Sequence, residues 1–386
     1  MKQKLFSVVV PTKDREQYLL SLIKLFISFQ NEDMELVIQD NSVDNSSVTA
    51  FLQNQEPKNI IYNYIPDNLT VVENSDLAIK ASSGKYVCFL GDDDLLSERS
   101  YSFVKMMDEE GIDSAIFNVA KYYWPGTKFV AHEFPNLIIY NSKPSMYKID
   151  VDKEFNYLLE HGAYTLRYMP KVYHGIVKRS VLDQVYEKTG TYFPGPSPDM
   201  ANSVALAQFV TKHIYCDIPV ISSGTSPKST AGLGSEHKHE GELKKKAFLP
   251  SNIEERWDSN IPKVWTGPTI YAQSALEAIR ALSISEAEDK FNYNYHYAAF
   301  ISFCPEYRKM FFIQKKQFKK CNYIGLTIAL LSIFFLRAHR FIKNIILSRF
   351  GKGATIYNGV SDTIIAEQYI DEKIKDYDFV KLIKEK

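Results

Sequence analysis

Covalent staples are scarce in this chain. Its four cysteines, Cys88, Cys216, Cys304 and Cys321, are scattered over 386 residues. No CxxC pair and no Cys/His zinc spacing occurs, which argues against a disulfide scaffold or structural zinc and for reduced thiols. The opening "MKQKLFSVVVPTKDR" holds only a short apolar run, ended by Pro11, with no small-residue cleavage site. No secretory leader is read there, and a cytoplasmic protein is expected. A net charge is missing too. Lys+Arg and Asp+Glu stand at 46 each, so nothing global attracts nucleic acid. Neither GxxxxGK[ST] nor GxGxxG follows the first predicted strand, which excludes a P-loop and a dinucleotide fingerprint. One absence is local. Between Tyr307 and Ser361 there is no Asp or Glu, against eleven Lys and Arg.

What the chain does have is apolar bulk. With 45% apolar residues, 25 Tyr and 24 Phe, it can fill a large ordered core and form one catalytic domain plus an appendage. The first part alternates. "FSVVV" (Phe6–Val10) reads as a buried strand, and Tyr18, Leu19, Leu22, Ile23, Phe26 and Phe29 then share one helical face. "ELVIQD" is a second strand, followed by a helix behind Asp44 or Asn45; "NIIYNYI" is a third. A helix over Val71–Ser83 leads to a fourth strand, "KYVCFL", and a further helix and strand follow. Strand–helix–strand spacing predicts a mostly parallel sheet with helices on both faces, whose ligands bind beyond the strands' carboxyl ends. That rule gathers Pro11–Asp14, Asp40–Asn41 and Asp92–Asp94 in space.

Asp92, Asp93 and Asp94 raise an electrostatic problem. Like charges about 4 Å apart repel by roughly 4 kcal/mol at a near-surface dielectric, and a cation would relieve this. On alternating strand geometry Asp92 and Asp94 converge while Asp93 points away. Hard oxygen donors of this kind suit Mg²⁺ or Mn²⁺ that complete their shell with substrate phosphates. A solvated acidic loop, or a cap for the next helix, would have the same composition.

Taken in order, "FSVVVPTKDR", "ELVIQDNSVDNS" and "NSDLAIKASSGKYVCFLGDDDLL" resemble the nucleotide-sugar half of an inverting family-2 glycosyltransferase with the GT-A fold. The resemblance covers about the first hundred residues. It implies that Asp40 accepts a hydrogen bond from uracil, and that Pro11, Thr12, Asp14 and Arg15 lie around base and ribose. Asp92 and Asp93 then serve the nucleotide sugar, Asp94 with Asp92 holds Mn²⁺ or Mg²⁺, and Lys80 reaches the diphosphate. The family's catalytic base matches Asp199, in "PGPSPDMANSVAL", where Pro198 replaces a usual first acid. A simple helix cap at Ser197 or Asp199 is the bland alternative for that stretch.

Residues 1–225 are thus expected to form the GT-A nucleotide-sugar-binding catalytic domain and 226–310 a lid loop with a helical acceptor-side region. Residues 311–386 are expected to be a basic amphipathic tail that meets a membrane or another subunit. Around Ser222–Lys246 the chain turns Gly-, Ser- and charge-rich, as a lid would. His237 and His239 there are candidate metal ligands or solvated side chains. Trp257 and Trp265 are either a sugar platform or core. The apolar stretch Tyr323–Leu336 would span about 21 Å as a helix, short of a ~30 Å hydrocarbon core. Its basic flanks suit a peripheral position on the cytoplasmic face of the inner membrane. The expected function is metal-dependent, inverting transfer from a UDP-sugar to a hydroxyl of a surface glycan or lipid-linked precursor, with self-association an option and no nucleic acid involved. A sugar-phosphate nucleotidyltransferase and a catalytically silent scaffold are the alternatives.

Overall fold

The computed structural model describes residues 3–129, 132–133, 136–229, 232, 240–246, 248–349 and 353–384. Its centre is an eight-stranded sheet. One half is built from β1 (Phe6–Thr12), β2 (Met34–Asp40), β3 (Ile60–Tyr64) and β4 (Tyr86–Phe89), all parallel and ordered β4-β1-β2-β3. Beyond β4 come Gly175–Lys178, Ser114–Phe117, His213–Cys216 and Met146–Ile149. The first and last of these run against the rest, leaving six of eight strands pointing one way. The expected α/β fold is present, with its irregularity confined to the half where the alternation in sequence breaks down.

Period-2 alternation divides each central strand between two cores. Phe6, Val8, Val10, Leu36, Ile38 and Cys88 face one core with α1 (Glu16–Ser28). Val9, Val37, Val87 and Phe89 face the other, with α3 (Val71–Lys80) and the C-terminal helices Gly267–Ala281 and Tyr293–Phe303. All six residues of the predicted α1 stripe are buried. Because β1 and β2 are in parallel register with Thr12 opposite Asp40, both end at the same edge of the sheet.

A second sheet of five strands lies beside this edge. Its order is Ala354–Asn358, Asn136–Tyr140, Ala120–Tyr123, Ile221–Thr225 and Leu95–Leu96. Two expectations change here. The start of the supposed lid, Ser222–Thr225, is a strand of this sheet. The chain beyond residue 353 is no free tail: Ala354–Asn358 pairs with Asn136–Tyr140, and Ala366, Ile370 and Ile374 of the next helix enter the core beside α1. Between these parts lies the helix Tyr323–Arg349, 27 residues long and about 40 Å by the usual rise. It is longer than the apolar stretch alone suggests, because no helix breaker interrupts the chain before Gly351.

Candidate active site

The strand β4 stops at Phe89 and the chain turns at once, with Asp94 N–H donating to Gly91 O at 3.2 Å. Strand alternation therefore does not govern the three acids, and the expected pairing of Asp92 with Asp94 is corrected. Asp92 and Asp93 converge instead, on Arg15. Arg15 Nη2 lies 3.1 Å from Asp92 Oδ1 and 2.7 Å from Asp93 Oδ2. Thr12 Oγ1 donates to Asp92 Oδ2 at 2.6 Å, and Ser226 Oγ donates to Asp93 Oδ2 at 2.6 Å. Asp94 turns the other way, where Oδ1 accepts from Gly224 N–H and Oδ2 from Gly91 N–H, both at 2.7 Å. His174 Nε2 also lies 2.7 Å from that Oδ2.

All three acids are buried, so their surroundings set their charge. Burial is the main force on Asp92, pushing it up to about 7; Arg15 and Thr12 oppose this, while Asp93 and Asp94 reinforce it. Asp93 is raised by burial and by Asp94. Burial disfavours the charged Arg15, but Asp92 and Asp93 outweigh it and its pKa rises.

The acids are held by the second sheet. A Cβ on Gly224 would stand 1.7 Å from Asp93 O, so only glycine lets this strand approach. Trp124 Nε1 donates to the same carbonyl at 2.8 Å. Neither this strap nor its serine, Ser226, was singled out from sequence, although the glycine in "SSGTS" was a signal.

Asp40 is buried at the end of β2. Its oxygens accept from Ser42 N–H at 2.8 Å and Tyr62 O–H at 2.7 Å, and lone pairs remain for another donor. Pro11 and Thr12 close the adjacent strand. Asp14, at φ 54°, is exposed and organises the neighbouring loop, accepting from Val43 N–H at 2.9 Å. Around this floor, Arg15 Nε, Gln39 Nε2 and Asn74 Oδ1 are buried without a hydrogen-bond partner among the described residues. Such groups are costly unless a polar ligand meets them.

Asp199 stands in the first turn of the helix Pro198–Leu206, whose N-cap, Ser197, makes no side-chain capping bond. Burial raises its pKa, opposed by Lys171 and His174, with Asp94 adding to the rise. Lys171 is lowered by burial and supported by Asp199. The phenol of Tyr173 is raised by burial first, then by Asp94 and Asp199. Asp94, His174, Tyr173, Lys171 and Asp199 therefore form one electrostatic neighbourhood. His174 sits at φ 54°, a strained setting for a side chain of its size. Sequence reading missed His174, Tyr173 and Lys171, which lie together in "KVYHG".

Other candidates fall elsewhere. Lys80 ends α3 at the opposite edge of the sheet, its ammonium 4.6 Å from the Tyr186 ring centroid. Helix α3 runs against the strands, so its start, near Asn74, faces the site and its end cannot. Trp257 and Trp265 are buried in the core. His237 and His239 lie outside the described residues. A cleft of about 820 Å³ between α3, residues 189–196 and residues 248–256 is lined by none of the three acids.

The model of glycosyl transferase family 2 matches residues 7–172, from β1 past the triple Asp to the residue before Tyr173. Residues 7–172 are thus similar to glycosyl transferase family 2. The matched segment contains Thr12, Arg15, Asp40, Asn74 and the three acids, whereas His174, Asp199 and Gly224 follow it in the chain. A curated relative, the minor teichoic acid biosynthesis protein GgaB of Bacillus subtilis, is 30% identical over 167 residues. That match covers 42% of this chain and 18% of the relative's length. Among solved structures, S. aureus TarS 1-349 in complex with UDP-GlcNAc is 14% identical, with a TM-score of 0.49 over 81% of this chain and 78% of that one. The same protein in complex with UDP is 15% identical, with a TM-score of 0.43 over 78% and 92%.

Proposed function

We propose that the chain is a metal-dependent, inverting glycosyltransferase. It moves a sugar from a UDP-sugar to a hydroxyl of a surface glycan or its lipid-linked precursor. The observation that carries this reading is that Asp94, bonded to His174 at 2.7 Å beyond the end of β4, shares its electrostatic surroundings with the buried Asp199. In support, the buried floor at Asp40, Gln39 and Asn74 offers a carboxylate and unmatched amide atoms to a nucleobase and ribose. The acceptor class is supported by the named role of GgaB in teichoic acid biosynthesis.

The donor set suits a cation held mainly by its substrate. Among the described residues no three His, Cys, Asp or Glu side chains form a metal-holding group. Asp94 would hold Mn²⁺ or Mg²⁺, ions that keep waters and take phosphate oxygens. When bound, the cation neutralises charge on the departing diphosphate. The side chains do the rest. Asp199 takes the acceptor's hydroxyl proton as general base. Lys171 beside it favours the ionised carboxylate that this role requires. Attack opposite the leaving group then inverts the anomeric centre.

The test is a thermal-shift screen of nucleotide sugars with and without Mn²⁺, followed by transfer assays and NMR of the product's anomeric configuration. Tight binders of the native fold raise the melting temperature by mass action. A UDP-sugar should do so in a Mn²⁺-dependent way. Asp94→Ala and Asp199→Ala proteins that fold and transfer at the parental rate would defeat the proposal.

A further inference from the structure

Helix Tyr323–Arg349 is docked along one side only. Leu326, Ala329 and Ile333 are buried against the helix Tyr293–Phe303, while the opposite face carries large apolar side chains in the open. Ile324 is 76% exposed, Phe334 64% and Phe335 66%, and Ile328, Leu331 and Phe341 continue the row at helical spacing. The patch extends onto a neighbouring helix, Arg308–Gln314, through exposed Phe312 and Ile313. Lys315 joins the two, its ammonium 5.4 Å from the Phe312 ring centroid and 5.0 Å from that of Tyr323. Further cations stand on the rim, Arg337 over Phe303 at 5.4 Å and Arg340 reaching Tyr164 Oη at 3.4 Å. Contiguous exposed apolar surface of this kind marks an interaction site.

From this arrangement we infer that the face formed by Phe312, Ile313 and the outer side of helix Tyr323–Arg349 docks on an anionic lipid surface. The helix lies in the headgroup plane, its aromatic and aliphatic side chains in the acyl boundary and its lysines and arginines among the phosphates. Charge selects this occupant. Residues 307–361 hold eleven cationic and no acidic side chains, so a second copy seated on the same face would set cation against cation. An anionic bilayer pairs with both the apolar centre and the basic rim. The stretch Tyr323–Lys343 is long and apolar enough to cross a membrane, but crossing would strip Leu326, Ala329 and Ile333 from their seat in the core. The helix Tyr293–Phe303 that supports this face packs on Gly267–Ala281, and that helix packs on the one bearing Asp199. The lipid surface is thus two helices away from the proposed base.

The test uses the full chain in vesicle flotation. Phosphatidylcholine vesicles are compared with vesicles containing about 30% phosphatidylglycerol, at low and at about 0.5 M salt. The protein should float with the anionic vesicles and release by about tenfold or more at high salt. A Phe334→Ser/Phe335→Ser variant, altered only at exposed positions, should keep the parental melting temperature and stay unbound. Lys315→Gln/Lys316→Gln should bind more weakly and with a shallower salt dependence. Four results would overturn the inference: no flotation; equal, salt-insensitive flotation on neutral lipid; resistance to alkaline extraction, which indicates a crossing helix; or a dimer in light scattering that Phe334→Ser/Phe335→Ser dissolves.

Discussion

Arg15 and Asp93 are joined both directly, at 2.7 Å, and through Ser226, whose hydroxyl accepts from Arg15 Nη2 at 2.7 Å and donates to Asp93 at 2.6 Å. The first strand's exit and the second sheet thus meet over one carboxylate. Arg15→Ala removes the guanidinium shared by Asp92 and Asp93 and leaves their charges buried, a loss of roughly 3 kcal/mol for such pairs. The melting temperature should fall, and added Mn²⁺ should restore part of it, as differential scanning fluorimetry would show. An unchanged melting temperature would mean that the pairing contributes little.

Gly224→Ala tests the strap. An added methyl meets the Asp93 carbonyl at a distance no real Cβ adopts, so the strand must retreat and Asp94 loses its bond from the Gly224 amide. The variant should lose about 2 kcal/mol or more, measured by urea denaturation, and bind UDP-sugar more weakly.

Asp199→Asn should lower kcat by about 10²–10⁴-fold, the range for loss of a general base, with little change in UDP affinity. Burial holds the carboxyl above the ordinary range, so the acid limb of the kcat profile should lie above the pH of about 3.9 typical of a free aspartate. Activity is lost as pH falls through that raised value, because the protonated acid cannot accept. Lys171→Met should move the limb higher still.

Lys80→Ala should leave donor affinity at the parental level in calorimetry. Its ammonium rests on Tyr186, at the far end of the sheet from Asp92. A tenfold weakening would place the diphosphate elsewhere than proposed.

Two buried histidines predict acid lability. Burial pulls His213 down to about 4 and His296 to about 3, and neither ring nitrogen of His296 has a hydrogen-bond partner among the described residues. The unfolded chain binds these protons near pH 6.5 and the folded chain resists them, so stability is full above about 6.5 and lost as pH falls below it. Melting temperatures should drop steadily from pH 7 to 5. His296→Met should flatten that slope.

The parallel half of the sheet was readable because its signals are local. "FSVVVPT" and "ELVIQD" are apolar runs ending in polar residues, and parallel-sheet chemistry fixes where such ends point. The helix start at Asp199 was readable from its constrained, Pro-rich loop. The geometry of the triple Asp was not, because strand alternation ends at Phe89 and the next turn depends on a strand about 130 residues later. Lys80 misled for a similar reason: its side of the sheet follows from helix direction, not from nearness to "SSGKY" in sequence. Nor could periodicity reveal that the chain after residue 353 returns, since the partner strand of Ala354–Asn358 lies more than 200 residues earlier.

That return has a mechanical consequence. The long exposed helix is tethered at both ends, to the helical layer before it and, beyond it, to the outermost strand of the five-stranded sheet whose inner strands grip Asp93 and Asp94. A pull on the helix from whatever surface it engages therefore has a hydrogen-bonded route, strand by strand, to the acidic turn. The outer helix and the acidic turn are parts of one continuous framework.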